Sequence, residues 1–220
     1  MAVICSARQA LAGLTGGMSV MVAGFLGVGT PEELVGAVIE SGVTGLTVIA
    51  NDSAFPGVGV GRLQDSKQIG KLHASYIGGH SDTGKCMETG EMDVVLTPQG
   101  TLAEQIRAGG SGLGGFLTPT GVGTVVANGK QEMTVNGRTY LLELPLKADF
   151  ALLRAHRADA AGNLIYRNSA RNFNPLMAMA AEVVVAEVDE VVPVGAIAPE
   201  EVMTPGIFID YIVIRGEKNG

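Results

Sequence analysis

The chain has 220 residues, 46% of hydrophobic type and 17% charged, enough apolar material for a sizeable core, which excludes disorder as its main description. Lys and Arg number 15 against 22 Asp and Glu, a formal net charge of −7 that lacks the basic balance nucleic-acid binding needs. The longest strongly apolar stretch, residues 18–29, falls well short of a membrane span, and Cys5 and Cys86 have no CxxC spacing that would support a disulfide scaffold or zinc site. With no signal-like start, a reducing cytoplasm is the expected setting, with no membrane, nucleic-acid or metal partner.

Ser6 is placed to cap a helix over residues 7–14, and residues 18–23 read as a buried apolar strand. After a glycine turn, Thr30 as N-cap, Pro31 at the first helical position, and Glu32 and Glu33 in the first turn mark a second helix, where the dipole favours negative charge. Leu34, Val35, Val38 and Ile39 recur at helical spacing as far as Gly42, and residues 46–50 return as a strand, completing one β-α-β unit. Residues 71–77 and 92–97 read as further strands and 99–108 as a helix. This alternation predicts an α/β fold, a mostly parallel open sheet flanked by helices.

Residues 122–144 break the rhythm. Met133 and Val135, then Tyr140 and Leu142, alternate on either side of Asn136-Gly137, the preferred pair for a two-residue hairpin turn. After this β-hairpin insert come apolar segments at 150–153, 183–186 and 208–214 and a helix around 175–181. No long polar linker intervenes, so residues 1–220 are expected to form one domain with a β-rich excursion around 122–144.

The sequence holds 32 glycines, about twice the average share, without collagen periodicity or linker polarity. Gly110 to Gly115 has the letters G-x-G-x-x-G, but it follows a helix and runs into Thr118 and Pro119, whereas a dinucleotide fingerprint needs strand, turn and helix in order. GHSDTGKC at 79–86 resembles a phosphate loop with Cys86 in place of the magnesium-binding hydroxyl, and reads as a solvated turn, since residues 87–90 open no clear helix. His73, His80 and His156 stand at no metal-ligand spacing, and no G-x-S-x-G element sets up a serine nucleophile. Two glycine-dense loops remain. Residues 24–29 join a strand end to a helix start, which suits either an anionic ligand or simply a tight connection. Residues 109–123 carry seven glycines in fifteen positions, and such a long, partly apolar loop suggests that something packs on it.

These segments closely resemble the α subunit of two-subunit family I CoA-transferases of the acetate/acetoacetate and butyrate–acetoacetate type. MSVMVAGFLGVGTP at 18–31 matches the family's signature of an apolar strand followed by G-G-F, Gly and Pro. Ala23 stands where the first glycine is usual, and alanine at a positive φ would shift the loop slightly. The match continues through TVIAND (47–52), TPQGTLAEQIRAGG (97–110), GGFLTPTGVGT (114–124) and ARNFNP (170–175), covering nearly the whole chain.

The resemblance implies ping-pong transfer of CoA between an acyl-CoA, such as acetyl- or butyryl-CoA, and a short-chain carboxylate, acetate or acetoacetate. It proceeds through a glutamyl-CoA thioester on a β subunit, in an α₂β₂ assembly. The nucleophilic glutamate lies in a motif absent here. No cofactor is expected to be bound permanently; CoA thioester is the substrate. Gln99 matches an amide donor to the thioester oxyanion, and Ala23, Gly24, Phe25, Leu26, Gly27, Val28 and Gly29 match a CoA-binding loop. Asn51 matches a position near the substrate. Gln99 lies at the end of a predicted parallel strand, where open α/β sheets bind ligands; the lesser alternative is a residue that merely starts a helix after Pro98. A competing reading is a self-sufficient enzyme of related fold, a sugar-phosphate isomerase or thioester hydrolase, using Glu32, Glu33, Glu91 or Glu104; another is a ligand-binding module.

Overall fold

The computed structural model describes residues 2–216; Met1 and residues 217–220, the two ends of the expected domain, lie outside the described residues. In chain order the first half contains β1 (Val3–Ile4), α1 (Ala7–Ala10), β2 (Ser19–Val22), α2 (Glu32–Ser41), β3 (Leu46–Ile49), α3 (Val60–Asp65), β4 (Ile69–Ala74), α4 (Ser81–Thr89), β5 (Asp93–Leu96) and α5 (Gln99–Gly110). The second half contains β6 (Phe116–Thr118), β7 (Glu132–Val135), β8 (Arg138–Glu143), β9 (Ala148–Asp159), β10 (Leu164–Ile165), α6 (Asn174–Met177), β11 (Ala181–Val192) and β12 (Tyr211–Ile214).

Among the described residues a nine-stranded sheet runs in the order β1-β12-β11-β9-β2-β3-β4-β5, with β10 attached to β9. Every pairing along that path is parallel; β10 alone runs antiparallel to β9. From β2 the chain steps outward through β3, β4 and β5, then returns to lay β9 on the other side of β2 and steps away through β11 and β12. The direction of winding therefore reverses between β2 and β9. At such a reversal the connections after adjacent strands leave to opposite sides and open a crevice beyond the strand ends.

Side chains alternate across the strands, so each strand feeds two cores. Val20, Val22, Val48, Leu72, Phe150, Leu152 and Val185 pack with Leu11, Leu34, Val38 and Leu63 of the first three helices and the turn after α1. On the opposite face Met21, Ile49, Ala151, Leu153 and Val184 pack with Leu102 and Ile106 of α5 and Met177 of α6. Burial on both faces explains why β2 reads as a continuous apolar run.

The hairpin insert forms as expected. Asn136 (φ 51°) and Gly137 (φ 76°) make the turn between β7 and β8, and β6 pairs with the other edge of β8 to complete a separate antiparallel sheet. Its inward face is tied to α5 by the buried Glu143 carboxylate, which accepts from Gln105 at 2.9 Å and pairs with Lys130 at 2.6 Å.

Four local expectations are corrected. The first helix ends at Ala10, although Ser6 caps it in a reciprocal capping box with Gln9. Residues 79–86, expected as a turn with no clear helix opening after it, lie mostly within α4, which spans Ser81–Thr89 and is closed by Gly90 in the left-handed region. The 109–123 segment is not one loop: Gly109 and Gly110 complete α5, where a Cβ on Gly109 would meet the Leu146 carbonyl at 1.9 Å, and residues 116–118 form β6. Finally, Thr30 does not cap α2. Pro31 occupies the cap position without a side-chain bond, and the Glu187 carboxylate, reaching across from β11, accepts from the backbone N–H of Glu33 (2.9 Å) and Leu34 (3.2 Å). A long-range carboxylate has taken the place of a local hydroxyl.

Glu187 is fully buried, and its other oxygen has only the Arg154 guanidinium nearby, at 3.5 Å. Burial pushes its carboxyl up to about 7, outweighing the helix N–H groups and Arg154, which favour the charged form. The folded chain thus holds this proton over a range in which the unfolded chain has released it. Its stability should fall as pH rises from about 4.5 to about 7, by roughly 3 kcal/mol from this group. Urea-unfolding free energies across that range should show this slope in the parent and lose it in Glu187→Gln.

Candidate functional site

The crevice at the reversal is occupied by the loop that leaves β2. Ala23 makes the last ladder bond, its N–H donating to the Leu152 carbonyl at 3.1 Å. Phe25 and Val28 then exchange two backbone bonds of 3.0 Å, with Leu26 (φ 47°) and Gly27 (φ 88°) at the tip. Positive φ at both central positions defines a type I′ turn, and leucine is an ill-suited occupant because its Cβ crowds the following carbonyl, at a cost of about 1–2 kcal/mol. Ala23 is not among the residues with positive φ, so replacement of the family's usual glycine strains nothing and the expected shift does not arise.

The loop is enclosed so tightly that two glycines are obligatory. A Cβ on Gly24 (φ 131°) would lie 2.1 Å from the Thr30 hydroxyl oxygen, and one on Gly29 (φ 74°) would lie 2.5 Å from the Ala170 carbonyl. Thr30, expected as a helix cap, instead packs under Gly24. The clamp on Gly29 comes from the ARNFNP segment. Asn172 Nδ2 donates to the Val28 carbonyl at 2.9 Å, and the fully buried Asn174 donates to the Gly29 carbonyl at 3.1 Å while accepting from the Arg154 N–H at 2.7 Å. The motif drew notice as part of a resemblance, but its two carboxamides carried no assigned role. Pairing with a loop some 145 positions away leaves no local signal.

Sheet register extends the site sideways. Met21, Ile49, His73 and Val95 are partners across β2, β3, β4 and β5. Two residues further on, the same row carries Ala23, Asn51, Ser75 and Thr97, about 14 Å from end to end at the usual strand spacing. Asn51 is buried at 2% exposure, its carboxamide donating to Asp52 at 2.6 Å and its backbone carbonyl accepting from the Ser75 hydroxyl at 2.7 Å. Gln99 is exposed in the first turn of α5, whose first intrahelical bond runs from the Leu102 N–H to the Pro98 carbonyl. The preceding N–H groups lack intrahelical partners and no acidic residue occupies this turn, so the helix end presents positive potential beside the Gln99 amide.

A cavity of about 410 Å³ lies on the other side of the loop, lined by Gly27, Val28 and Gly29 together with Arg154, Glu187 and Asp189. Arg154 pairs with Asp189, which also meets His156 at 3.1 Å. Asn51 and Gln99 do not line this cavity; Asn51 stands in the outer row, and Gln99 begins α5 two residues after Thr97, the last member of that row. The four candidate nucleophiles are otherwise engaged. Glu32 pairs with Arg62 at 2.8 Å, Glu33 accepts from the Gly216 N–H, Glu91 pairs with Lys67, and Glu104 pairs with Arg107.

Gly29→Ala should destabilise the chain by more than 2 kcal/mol, because its Cβ meets backbone that cannot turn aside. Gly57→Ala serves as the control: φ is similar at 73° but nothing lies within 4 Å, so only the backbone strain of about 1 kcal/mol applies. Chemical denaturation of both variants checks the difference.

The family model described as "Coenzyme A transferase" matches residues 4–215. The chain is 58% identical over 201 residues to acetate CoA-transferase subunit alpha of Escherichia coli K12, covering 91% of each chain. It is 49% identical over 197 residues to the acetoacetyl-CoA:acetate/butyrate CoA transferase alpha subunit of Clostridium acetobutylicum, covering 90% of each. In fold it is similar to an acyl-CoA transferase from E. coli O157:H7 in a thioester complex with CoA (TM-score 0.85, 19% identity), covering 97% of this chain but only 47% of the other. It is also similar to glutaconate coenzyme A-transferase from Acidaminococcus fermentans (TM-score 0.85, 16% identity), covering 96% of this chain and 75% of that one. The chain belongs to the coenzyme A transferase family, enzymes that transfer CoA from thioester substrates.

Proposed function

We propose that this chain is the α subunit of a cytoplasmic short-chain acyl CoA-transferase that moves CoA between acetyl- or butyryl-CoA and acetate or acetoacetate, and that it works with a β subunit in an α₂β₂ assembly. The observation that carries the reading is the 58% identity, across nine-tenths of both chains, to a protein named as an acetate CoA-transferase α subunit. On this reading residues 1–220 form one subunit domain with its β-rich excursion around 122–144.

The glutamate nucleophile comes from the β subunit. Its carboxylate attacks the thioester carbonyl, and CoA leaves as the thiolate. The thiolate then attacks the glutamyl carbonyl of the resulting anhydride, releasing the acyl group as its carboxylate and leaving a glutamyl-CoA thioester. The second acid reverses these steps. Gln99 donates its side-chain amide to the oxyanion that forms at the carbonyl, aided by the free N–H groups of α5. The loop Ala23–Gly29 holds CoA, and Asn51 stands at the substrate end of the row. No permanent cofactor takes part. Phe25, Phe55 and Tyr76, beyond the strand ends of β2 to β4, and Leu96, the last residue of β5, are 44–51% exposed, and this apolar rim supports a covering partner. The 109–123 segment, next to α5, contributes to the same contact.

The chain purified alone should have no acetoacetyl-CoA:acetate transferase activity and should gain it on addition of the β subunit; full activity without the partner would refute the reading. In the reconstituted enzyme Gln99→Ala should lower kcat by roughly 10²–10³. A kcat equal to that of the parent would remove Gln99 from the oxyanion site.

A further inference from the structure

We infer that Asp52 is the positioning residue of this site, a buried carboxylate that holds both the tip of the CoA loop and the Asn51 amide in working geometry; the inference rests on the reading of the site given above. Asp52 follows Asn51 at the end of β3 and is 4% exposed. Its Oδ2 accepts from the Leu26 backbone N–H at 3.0 Å and from Asn51 Nδ2 at 2.6 Å, and its Oδ1 accepts from the Ala54 backbone N–H at 2.8 Å. All three donors are amides; no cation shares the carboxylate among the described residues.

The backbone of two of those donors sharpens the inference. Leu26 (φ 47°) and Ala54 (φ 54°) are two of the five non-glycine residues with positive φ among the described residues, and both donate to this carboxylate. Left-handed backbone at residues with a Cβ persists only where the surroundings over-determine it, and it gathers at functional sites. A charged acceptor makes hydrogen bonds roughly twice as strong as a neutral one, enough to offset the strain at both positions. Asp52 therefore fixes the loop, through Leu26, relative to the row that carries Asn51. The pairing of β2 with β3 sets where the loop starts relative to Asn51, and this carboxylate adds the tie at the loop's tip.

The test uses the reconstituted two-subunit enzyme. Asp52→Asn keeps the shape but supplies a single, neutral accepting oxygen, so its NH2 faces either the Ala54 N–H or both the Leu26 N–H and Asn51 Nδ2, and the ties to Leu26 and Asn51 are weakened in the first orientation and lost in the second. We expect kcat to fall by about 10- to 100-fold, the effect of a small misplacement of reacting groups, together with a rise in KM for the acyl-CoA. Leu26→Gly in the Asp52→Asn background frees the tip of strain and should bring KM back toward that of the parent while kcat stays low, because Asn51 Nδ2 then has at most a neutral acceptor in place of the carboxylate. A merely structural role would not separate the two parameters in this way. Parent kcat and KM in Asp52→Asn, or no recovery of KM in the double variant, would overturn the inference. If Asp52→Asn does not fold, Asp52→Asn/Leu26→Gly/Ala54→Gly relieves both strained positions: a lowered kcat there supports the inference and a parental kcat overturns it. Gln99→Ala, assayed in parallel, separates the two levels. Its loss of kcat alongside an unaffected Asp52→Asn would defeat only the role of Asp52, whereas a parent without transferase activity would defeat the reading of the site and this inference together.

Discussion

The reversal of winding between β2 and β9 sets the position of almost everything else in this chain. β2 has β3 on one side and β9 on the other, so its exit lies in a crevice that neither set of crossovers fills. Only a sharply folded loop can leave the strand there and still enter α2 on the face built from Leu34 and Val38. That requirement puts Gly24 and Gly29 where any side chain would collide with neighbouring atoms. The loop's shape is then held from both flanks, by Asp52 beyond β3 and by Asn172 and Asn174 beyond β10. A loop built in this way has its shape before any ligand arrives, which on the proposed reading reduces the ordering cost of binding CoA.

Buried carboxylates recur as the fasteners. Glu187 closes the N-terminus of α2, Asp52 gathers three amide donors, and Glu143 ties the small antiparallel sheet to α5. A carboxylate with several N–H donors satisfies more than one orphan donor at once, which hydroxyl caps do only one at a time, although at Glu187 these bonds do not outweigh burial. These residues count toward the acidic balance of the chain yet contribute little to the field outside it. On the proposed reading, an anionic thioester near Gln99 meets instead the unpaired N–H groups at the start of α5, where no acidic residue intrudes. The net charge of −7 and the binding of anionic substrates are compatible for this reason.

Much of the architecture was legible in the order of residues. The β-α-β unit from β2 to β3, the stop at Gly42 and the hairpin at Asn136-Gly137 each depend on neighbours a few positions apart, and each is found. The same is true of Gln99, which begins α5 after β5 as its place behind Thr97-Pro98 indicated. Expectations failed where a distant group displaced a local one. Thr30 had the chemistry of a cap and lost that role to Glu187, 157 positions later, because the carboxylate reaches two N–H groups from a buried strand. The glycines of 109–123 looked like one long loop because composition cannot distinguish flexibility from close packing; Gly109 is a helical residue pressed against the Leu146 carbonyl.

What the sequence determined by itself, then, was the set of elements, their alternation into a parallel sheet, and the motifs through which the chain resembles CoA-transferases, since these rest on periodicity, turn chemistry and residue order. Only the tertiary structure decided how the site is held: which carboxylate caps α2, why Leu26 and Ala54 sit in the left-handed region, and how Asp52 ties the glycine loop to Asn51. Apart from the Ala54 N–H, which Asp52 holds from two positions before it, those answers depend on strand order and register, which bring together segments 26 to 154 residues apart. No local pattern encodes a hydrogen bond that exists only after the sheet has closed.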